Sequence, residues 1–192
     1  MSVLANEKLV TTEELLALPE DGVDRELIRG SLRERPMTRR NRWHSRVETV
    51  IARLLDVWLD EQPEPRGEVV SGEAGFQLSR DPDTAVGIDV AYVPAEIVSK
   101  SVDRTYFEGP PRLAVEILSP SDTQEQIDEK VELYLEIGVA VVWVVNPRLR
   151  TVTVYRADTP PAVFTGGQEL MAEPHLPGFR TTVARIFGER AP

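Results

Sequence analysis

The feature that most constrains this chain is a run at residues 113–118, LAVEIL, in which only one residue is not apolar. A short and nearly continuous apolar run is typical of a strand that is buried on both faces of its sheet. Turn and cap residues follow, and the pattern then predicts a helix over about residues 123–137 that ends at Gly138. Residues 139–145 and 151–155 predict two more strands. This succession of elements indicates an α/β fold.

The remaining predicted elements surround this unit. Thr11 and Glu14 fit a capping box, which predicts a short helix over residues 12–18. The other regular elements are a hairpin at 25–29 and 31–35 about Gly30, a helix at 40–60, and strands at 68–78 and 86–93, the first with glycines that allow a bulge. Residues 94–111 predict turns and loops, and the tail after residue 157 predicts irregular structure with one short helix near 181–187.

The predicted helix at 40–60 has the longest amphipathic pattern in the chain. At about 100° per residue, one side of this helix is apolar. The residues on that side are Trp43, Val47, Val50, Ile51, Leu54, Leu55 and Trp58. The pattern predicts that this side packs against the core.

Length and composition indicate one cysteine-free domain. With 192 residues, 41% of them hydrophobic, we predict a single domain over residues 1–192, with residues 1–10 and the last few residues flexible. The absence of cysteine excludes disulfides, thiolate metal sites and a cysteine nucleophile. No stretch approaches the roughly 18 apolar residues that span a bilayer, and the first residues do not resemble a signal peptide. We therefore expect a cytoplasmic protein that does not bind membranes.

Charge is distributed unevenly along the chain. The formal net charge of −10 opposes binding to nucleic acid, because phosphate neutralisation supplies most of the non-specific affinity. Residues 25–46 nevertheless hold eight arginines and two acids, whereas residues 121–136 hold six acids and one lysine. The arginines are Arg25, Arg29, Arg33, Arg35, Arg39, Arg40, Arg42 and Arg46. Two interpretations of this segment stay open, a face that holds a polyanion and a solvated surface arm.

Two acids stand where the strand patterns demand apolar residues. Asp89 lies between Ile88 and Val90, and an unpaired acid is costly to bury inside a strand. The alternative is an edge strand that turns Asp89 to water. Glu116 is the one acid of the 113–118 run, and a buried glutamate needs a cation as its partner. A purely structural ion pair is the alternative for Glu116.

Lys130 is the third charged residue in an unexpected position. At about 100° per residue, it falls inside the apolar arc of the 123–137 helix. The acids on the opposite side of that helix are Glu125, Asp128, Glu129, Glu132 and Glu136. The pattern predicts that Lys130 points inward, and the alternative is a lysine that snorkels along the flank of the helix.

The positions of these three residues predict that they converge on one site. Mg²⁺ binds through a few carboxylates and keeps several waters, so Asp89 and Glu116 form a candidate Mg²⁺ site that could also accept Mn²⁺. Such a metal lowers the pKa of a bound water and polarises a phosphoryl oxygen. Lys130 would orient or help deprotonate that water and stabilise the charge that develops in the transition state. This constellation favours hydrolysis of phosphodiesters.

The order of the motifs resembles that of a bacterial restriction endonuclease family within the PD-(D/E)XK nuclease superfamily. The motifs are RELIRGSL, a helix with His44, IDVAYVP, LAVEILSPS, DEKVELYLEIGVAVVWVVNP and TVTVYR. The resemblance covers roughly residues 12–156, and residues 113–155 are its most specific part. It implies a restriction endonuclease-like fold, in which helices flank a central mixed β-sheet.

The resemblance also assigns the charged residues. Asp89 corresponds to the motif aspartate of the family and Glu116 to its second acid. The lysine that normally stands two residues after that acid is absent, because Leu118 occupies the position. Lys130 matches a lysine that has migrated to the following helix.

The resemblance adds Glu26 and His44 as further candidate catalytic residues. Glu26 matches a glutamate of the first hairpin and would complete the metal site, and the alternative is an exposed hairpin acid. His44 matches the histidine that opens the long helix, and the alternative to a proton shuttle is a core histidine. Ile88 replaces a proline and Asn146 an aspartate of the family pattern, but neither is a proposed ligand.

The leading hypothesis from sequence is a Mg²⁺-dependent endonuclease that cuts DNA. The DNA would bind beside Arg39, Arg40, Arg42 and Arg46. One alternative is a non-catalytic module that binds nucleic acid or another partner, which the net charge favours, and another is a phosphoesterase with a small substrate. A homodimer is also expected, because cutting both strands benefits from two sites and because the apolar strand pair at 139–155 could mate with a second copy.

Overall fold

The structure is a computed structural model that describes residues 9–37 and 41–188. The helices in these ranges are α1 (Thr12–Leu16), α2 (Arg42–Leu59), α3 (Ala95–Lys100), α4 (Gln124–Ile137) and α5 (Val183–Ile186). The strands are β1 (Val23–Ile28), β2 (Ser31–Pro36), β3 (Glu68–Ser79), β4 (Thr84–Val93), β5 (Phe107–Glu108), β6 (Leu113–Ile117), β7 (Val141–Asn146), β8 (Thr151–Arg156), β9 (Thr159–Thr165), β10 (Glu169–Met171) and β11 (Arg180–Thr182). Residues 1–8 and 189–192, which fall in the termini predicted to be flexible, lie outside the described residues.

A mixed sheet forms the centre of the fold. Its strand order in the described part of the chain is β2-β1-β4-β6-β7-β8-β9, with β3 paired to β4 and β5 paired to β3. β6 and β7 are parallel, as are β3 and β5, whereas the other pairs are antiparallel. A parallel pair needs a crossover connection, and α4 supplies it between β6 and β7. The predicted mixed sheet is confirmed.

Helices cover both faces of this sheet. On one face, α2 and α5 pack on alternate residues of β6, β7 and β8, among them Val115 and Trp143. On the other face, α3 and α4 pack on residues such as Ala114 and Val142. β6 is therefore buried on both faces, as the sequence predicts.

The capping residues and the bulge predicted from local sequence occur in the structure. Thr11 and Glu14 form the predicted capping box of α1. Thr123 and Gln126 form another capping box at α4, which ends at Gly138 with φ of 103°. The bulge expected in the glycine-containing strand occurs in β3 between Ser71 and Ala74.

Two regions predicted as irregular contain regular elements. α3 and β5 lie within residues 94–111, and β9 lies in the tail after residue 157. Pro160 and Pro161 argue against a central strand, because proline lacks the amide hydrogen that a ladder needs. β9 tolerates them because it pairs only with β8 at the edge of the sheet within the described residues.

The buried stripe of α2 differs from the predicted one at several positions. It contains His44, Val47, Ile51, Leu55, Trp58 and Leu59, most of them three or four residues apart, whereas the predicted Val50 and Leu54 are only partly buried. Trp43 is 57% exposed, so its predicted place in the core is wrong. Neighbouring residues of a helix are about 100° apart around its axis, so Trp43 points away from the core when His44 points towards it.

The strand pair at 139–155 does not offer a surface for a second copy. β7 lies between β6 and β8, and β8 lies between β7 and β9. The structural reason given for a homodimer is therefore wrong, although the homodimer itself stays a prediction. Among the described helices, none is long and apolar enough to cross a membrane.

Candidate active site

A gap along one edge of β4 creates the candidate site. β3 pairs with β4 over the length of β4, so β1 and β6 share the opposite edge. β1 pairs there at Ala85, and β6 pairs from Val90 onward, opposite Val115. The pair Val90–Val115 ends the ladder between β4 and β6, and Asp89 and Glu116 are the next residues of the two strands. Both acids therefore lie beside the part of the β4 edge that neither β1 nor β6 covers.

Asp89 is held in this gap by the backbone of β6. Its side chain accepts a hydrogen bond of 2.7 Å from the amide nitrogen of Ile117 to Oδ2. The residue is 5% exposed and lies in a strand with neighbours on both sides. The alternative of an edge strand with Asp89 in water is therefore wrong.

Glu116 faces α4, because it alternates with Val115, which faces α2. The hydroxyl of Tyr134 donates a hydrogen bond of 2.7 Å to Oε1 of Glu116. The Nζ atom of Lys130 lies 3.6 Å from Oε2. Glu116 is 7% exposed, so both contacts act on a carboxylate that is largely removed from water.

Lys130 points inward from α4 and contacts two carboxylates. Its Nζ atom lies 2.9 Å from Oε1 of Glu26, in addition to the contact with Glu116. Its side chain is 15% exposed. The alternative of a snorkelling lysine is wrong, because the ammonium ends between buried acids rather than in water.

Glu26 and Lys130 belong to elements that are far apart in the chain. Glu26 lies in β1 opposite Arg33 of the hairpin and is buried. Its Oε2 atom is 3.4 Å from Nη2 of Arg35. The alternative of an exposed hairpin acid is therefore wrong, and Glu26 lies beside Glu116 through their shared contact with Lys130.

Burial and charge shift the pKa values of the central pair. Burial is the main cause that raises the pKa of Glu116, to about 7, and the negative charge of Asp89 adds to it. The charge of Lys130 and the hydrogen bond from Tyr134 oppose this rise. For Lys130, burial lowers the pKa, but the carboxylates of Glu116 and Glu26 outweigh it and the net shift is upward. Lys130 is therefore a cation at neutral pH.

His44 is buried, as the core interpretation predicts, but its ring contacts acids. Its Nε2 atom is 3.2 Å from Oδ2 of Asp89, and its Nδ1 atom is 3.6 Å from Oε2 of Glu48. Within the described residues neither ring nitrogen makes a hydrogen bond of good geometry. His44 is fully buried, so it can orient Asp89 but cannot reach a substrate.

A cavity of about 40 Å³ opens beside these residues. Its lining includes Asp89, Glu116 and Lys130, together with Glu73 from the bulge of β3. One water needs roughly 10–15 Å³, so the cavity has room for a cation or a few waters. No group of three or more histidine, aspartate or glutamate side chains in the described part of the chain could hold a metal ion. Two mutually repelling carboxylates still fit Mg²⁺, which keeps waters as its other ligands.

The arginine-rich segment is largely engaged with acids of the protein itself. Arg25 pairs with Asp21 and Glu34, and Arg33 makes two contacts of 2.6 Å with Glu129 of α4. Arg29 and Arg35 also form ion pairs. Arg39 and Arg40 lie outside the described residues. The guanidinium of Arg42 lies 4.4 Å from the ring centroid of Trp43, and Arg46 lines a large groove.

This groove, which we name the α2 groove, adjoins the cavity. It has a volume of about 1060 Å³. It is lined by Asn41, Trp43, Arg46, Val47, Leu118, Ser119, Pro120, Asp122, Asn146, Pro147, Arg148, Arg150, Phe187 and Gly188. Asp122 lines both spaces, and Leu118 of the groove follows Ile117 of the cavity in the chain.

Tyr134 and Glu48 are further neighbours of the site, and the sequence patterns did not identify them as such. Each stands four residues after a candidate residue in the same helix, Tyr134 after Lys130 and Glu48 after His44. Residues at this spacing are neighbours on a helix surface. That spacing is the signal that could have identified them.

Comparison with known proteins relates this arrangement to a family. A family model described as "Uma2: Putative restriction endonuclease" matches residues 12–184. No curated protein gives a significant match. A solved structure of "a putative nuclease belonging to DUF820" from Anabaena variabilis is similar, with a TM-score of 0.75 and 20% identity over 93% of this chain and 97% of that chain. This likeness confirms the predicted restriction endonuclease-like fold. Because the family model spans most of the sequence, the chain belongs to the Uma2 family.

Proposed function

We propose that this protein is a Mg²⁺-dependent endonuclease that hydrolyses phosphodiester bonds of DNA. The family to which the chain belongs is described as "Putative restriction endonuclease", which supports a nuclease in general. The observation that carries the finer proposal is the convergence of Asp89, Glu116 and Lys130 on one small cavity from β4, β6 and α4. Acids and a lysine are costly to bury, and such local conflicts with the fold are typical of functional sites.

Asp89 and Glu116 would hold the metal, with Mn²⁺ as a substitute for Mg²⁺. The bound metal would supply a water of lowered pKa and polarise the phosphoryl oxygen. The amide of Ile117 fixes the carboxylate of Asp89, and the hydroxyl of Tyr134 fixes that of Glu116. Both ligands are therefore oriented before a metal binds.

Lys130 would assist the attack by donating hydrogen bonds. Its upward-shifted pKa keeps the ammonium protonated, so it serves better as a donor and a positive charge than as a base. It would orient the attacking water and stabilise the charge that develops on the phosphoryl group. Glu26 holds Nζ of Lys130 at 2.9 Å and is a positioning residue in this proposal.

His44 is also a positioning residue in this proposal. Its Nε2 atom faces the carboxylate of Asp89 from the buried side of α2. A proton on Nε2 would stabilise the ionised form of Asp89, which is the form that binds a cation. The exposed arginines beside the cavity, among them Arg46, would contact the phosphates of the DNA.

A non-catalytic module that binds nucleic acid or another partner remains the second candidate. The net charge of −10 favours it, because an acidic protein has little general attraction to DNA. The ion pairs of Arg25, Arg29, Arg33 and Arg35 with acids of the protein reduce that attraction further.

Nicking of supercoiled plasmid tests the enzymatic proposal. The purified protein is incubated with Mg²⁺, Mn²⁺ or EDTA, beside the variants Asp89→Asn, Glu116→Gln and Lys130→Met. We expect metal-dependent nicking by the wild type, and a loss of about 10²-fold or more in each variant. Lys100→Met, at an exposed lysine of α3, is the matched control and should nick at the wild-type rate.

Two results would contradict the proposal. If the folded wild type cuts neither supercoiled, linear nor single-stranded DNA with any of these metals, the binding module becomes the better interpretation. If nicking persists in Asp89→Asn and in Glu116→Gln, cutting occurs but this cavity is not the site.

A further inference from the structure

The α2 groove combines one exposed aromatic ring with positively charged side chains. Trp43 is 57% exposed, whereas Trp58 and Trp143 are buried in the core. Arg46, Arg148 and Arg150 line the same groove. A single exposed apolar residue is common on protein surfaces, but an indole within a group of arginines beside a candidate catalytic cavity is a more specific arrangement.

The indole of Trp43 is held by its surroundings. Asn41 caps α2, and its side chain accepts hydrogen bonds from the amides of Trp43 and His44. The guanidinium of Arg42 lies over the ring at 4.4 Å, which is a cation–π contact. The ring is thus oriented at the start of α2 and still presents more than half of its surface to the groove and to water.

Two of the groove arginines have no acidic partner among the described residues. Arg46 and Arg148 form no ion pair with a carboxylate in the ranges 9–37 and 41–188. In this they differ from Arg25, Arg29 and Arg33, whose charges are neutralised. Positive charge is therefore available in the groove for the phosphates of a strand.

An aromatic ring next to positive charge suits unpaired nucleotides better than a duplex. In a duplex the faces of each base are covered by its neighbours, whereas an unpaired base can stack on an aromatic side chain. A duplex carries one negative charge per about 1.7 Å of its axis and a single strand one per about 3.4 Å, so an acidic protein repels the single strand less. The narrow cavity, with Asp89 and Glu116 buried in it, also favours a flexible strand that can bend inward.

We infer that the α2 groove binds unpaired nucleotides of DNA, with one base stacked on Trp43 and the phosphates held by Arg46 and Arg148. The inference rests on the proposed function and adds detail to it. It specifies which form of DNA the groove would direct to Asp89, Glu116 and Lys130. The protein then binds single-stranded DNA, or unpaired segments at junctions and flaps, in preference to a continuous duplex.

Fluorescence anisotropy in EDTA tests this inference, because binding is then measured without metal-dependent cutting. The probes are a labelled strand of about 16 nucleotides, the same strand in a duplex, and the same strand with abasic sites in place of its nucleosides. We expect the single strand to bind more tightly than the duplex. Trp43→Ala should weaken binding of the normal strand by about 5- to 150-fold, which corresponds to the loss of one stacked base.

The abasic strand separates stacking from the attraction of charges. It keeps the phosphates but has no base to stack, so Trp43→Ala should not weaken its binding further. Trp43→Phe should restore part of the affinity for the normal strand, because phenylalanine keeps an aromatic face. Arg46→Ala and Arg148→Ala should weaken binding of both strands and lower the salt slope by about 0.7 each. Val102→Ala, at another exposed apolar residue, should change nothing.

The fluorescence of tryptophan gives a second measurement. Trp43 is exposed and the other two tryptophans are buried, so quenching by a bound single strand should disappear in Trp43→Phe.

Duplex binding as tight as single-strand binding would overturn the inference, as would an equal effect of Trp43→Ala on the normal and the abasic strand. If either of these two results is obtained while the protein still nicks plasmid, the inference about the groove fails and the proposed nuclease activity is retained. Selective binding of single strands without cutting of any DNA would instead remove the nuclease and keep the binding groove.

Discussion

At the scale of single residues, the ammonium of Lys130 is the shared partner of two buried carboxylates. Replacing it by methionine leaves Glu116 without this cation, and breaking a buried pair costs about 3–5 kcal/mol. We expect Lys130→Met to lower the free energy of unfolding by about this amount at pH 8. Denaturation with urea measures it, and Lys100→Met is the control on an exposed lysine.

The loss in Lys130→Met should shrink as the pH falls. The pKa of Glu116 is already raised to about 7, mainly by burial, and it rises further without the opposing charge of Lys130. A folded-state pKa above the unfolded value means that the stability linked to this group is present at low pH and is lost as the pH rises through the folded pKa. Urea denaturation at pH 6 should therefore show a smaller difference between variant and wild type, and a larger one would contradict the assignment.

Metal binding is a second property of these residues that can be measured directly. Mg²⁺ that binds only the folded state stabilises it, by about 2.7 kcal/mol at 100 times its Kd. We expect Mg²⁺ to raise the Tm of the wild type and EDTA to reverse the rise. The rise should be larger at pH 8 than at pH 6, because Glu116 must lose its proton to bind a cation and its pKa is about 7.

Variants of the two carboxylates provide the control for the metal. Asp89→Asn and Glu116→Gln keep the size of the side chains but remove a charge, so Mg²⁺ should no longer raise their Tm. An equal rise in the wild type and in both variants would mean that Mg²⁺ binds elsewhere.

At the scale of elements, α4 links the core to the candidate site. Its C-cap, Gly138, has φ of 103°, which favours glycine, and an added Cβ atom would meet no atom within 4 Å. We expect Gly138→Ala to lower the free energy of unfolding by about 1 kcal/mol, for conformational reasons alone. Denaturation with urea measures this change, and plasmid nicking should persist because Lys130 lies about two turns away.

Gly167→Ala is the matched control for Gly138→Ala. An added methyl group at Gly167 also meets no atom within 4 Å, but its φ lies outside the left-handed region. Equal destabilisation by the two substitutions would show that loss of the left-handed conformation is not the cause.

At the scale of the whole molecule, the predicted homodimer needs a surface other than the β7–β8 pair. β9 is an edge strand of the described sheet, and Val163 is exposed on it. Open strand edges can pair with a second copy, although Pro160 and Pro161 lack the amide hydrogens that strand pairing uses. We expect dimers in sedimentation equilibrium, and Val163→Glu should weaken them because like charges across paired strands repel. A monomer at high concentration would contradict the homodimer.

The sequence by itself determined the elements whose signals are local. Caps and periodicity specified α4 and the inward direction of Lys130, because both depend on residues within a few turns of a helix. The apolar run specified β6 and the burial of Glu116 for the same reason. The fold class followed from the order of these elements.

Only the tertiary structure decided which distant residues meet. Glu26 reaches Lys130 through the pairing of β1 with β4, and Asp89 reaches Glu116 through the register of β4 with β6. β9 became a strand despite its prolines because β8 offered an edge. Trp43 faces the α2 groove because the neighbouring His44 is the residue that faces the core. Strand partners and register depend on contacts between distant parts of the chain, so local periodicity does not specify them.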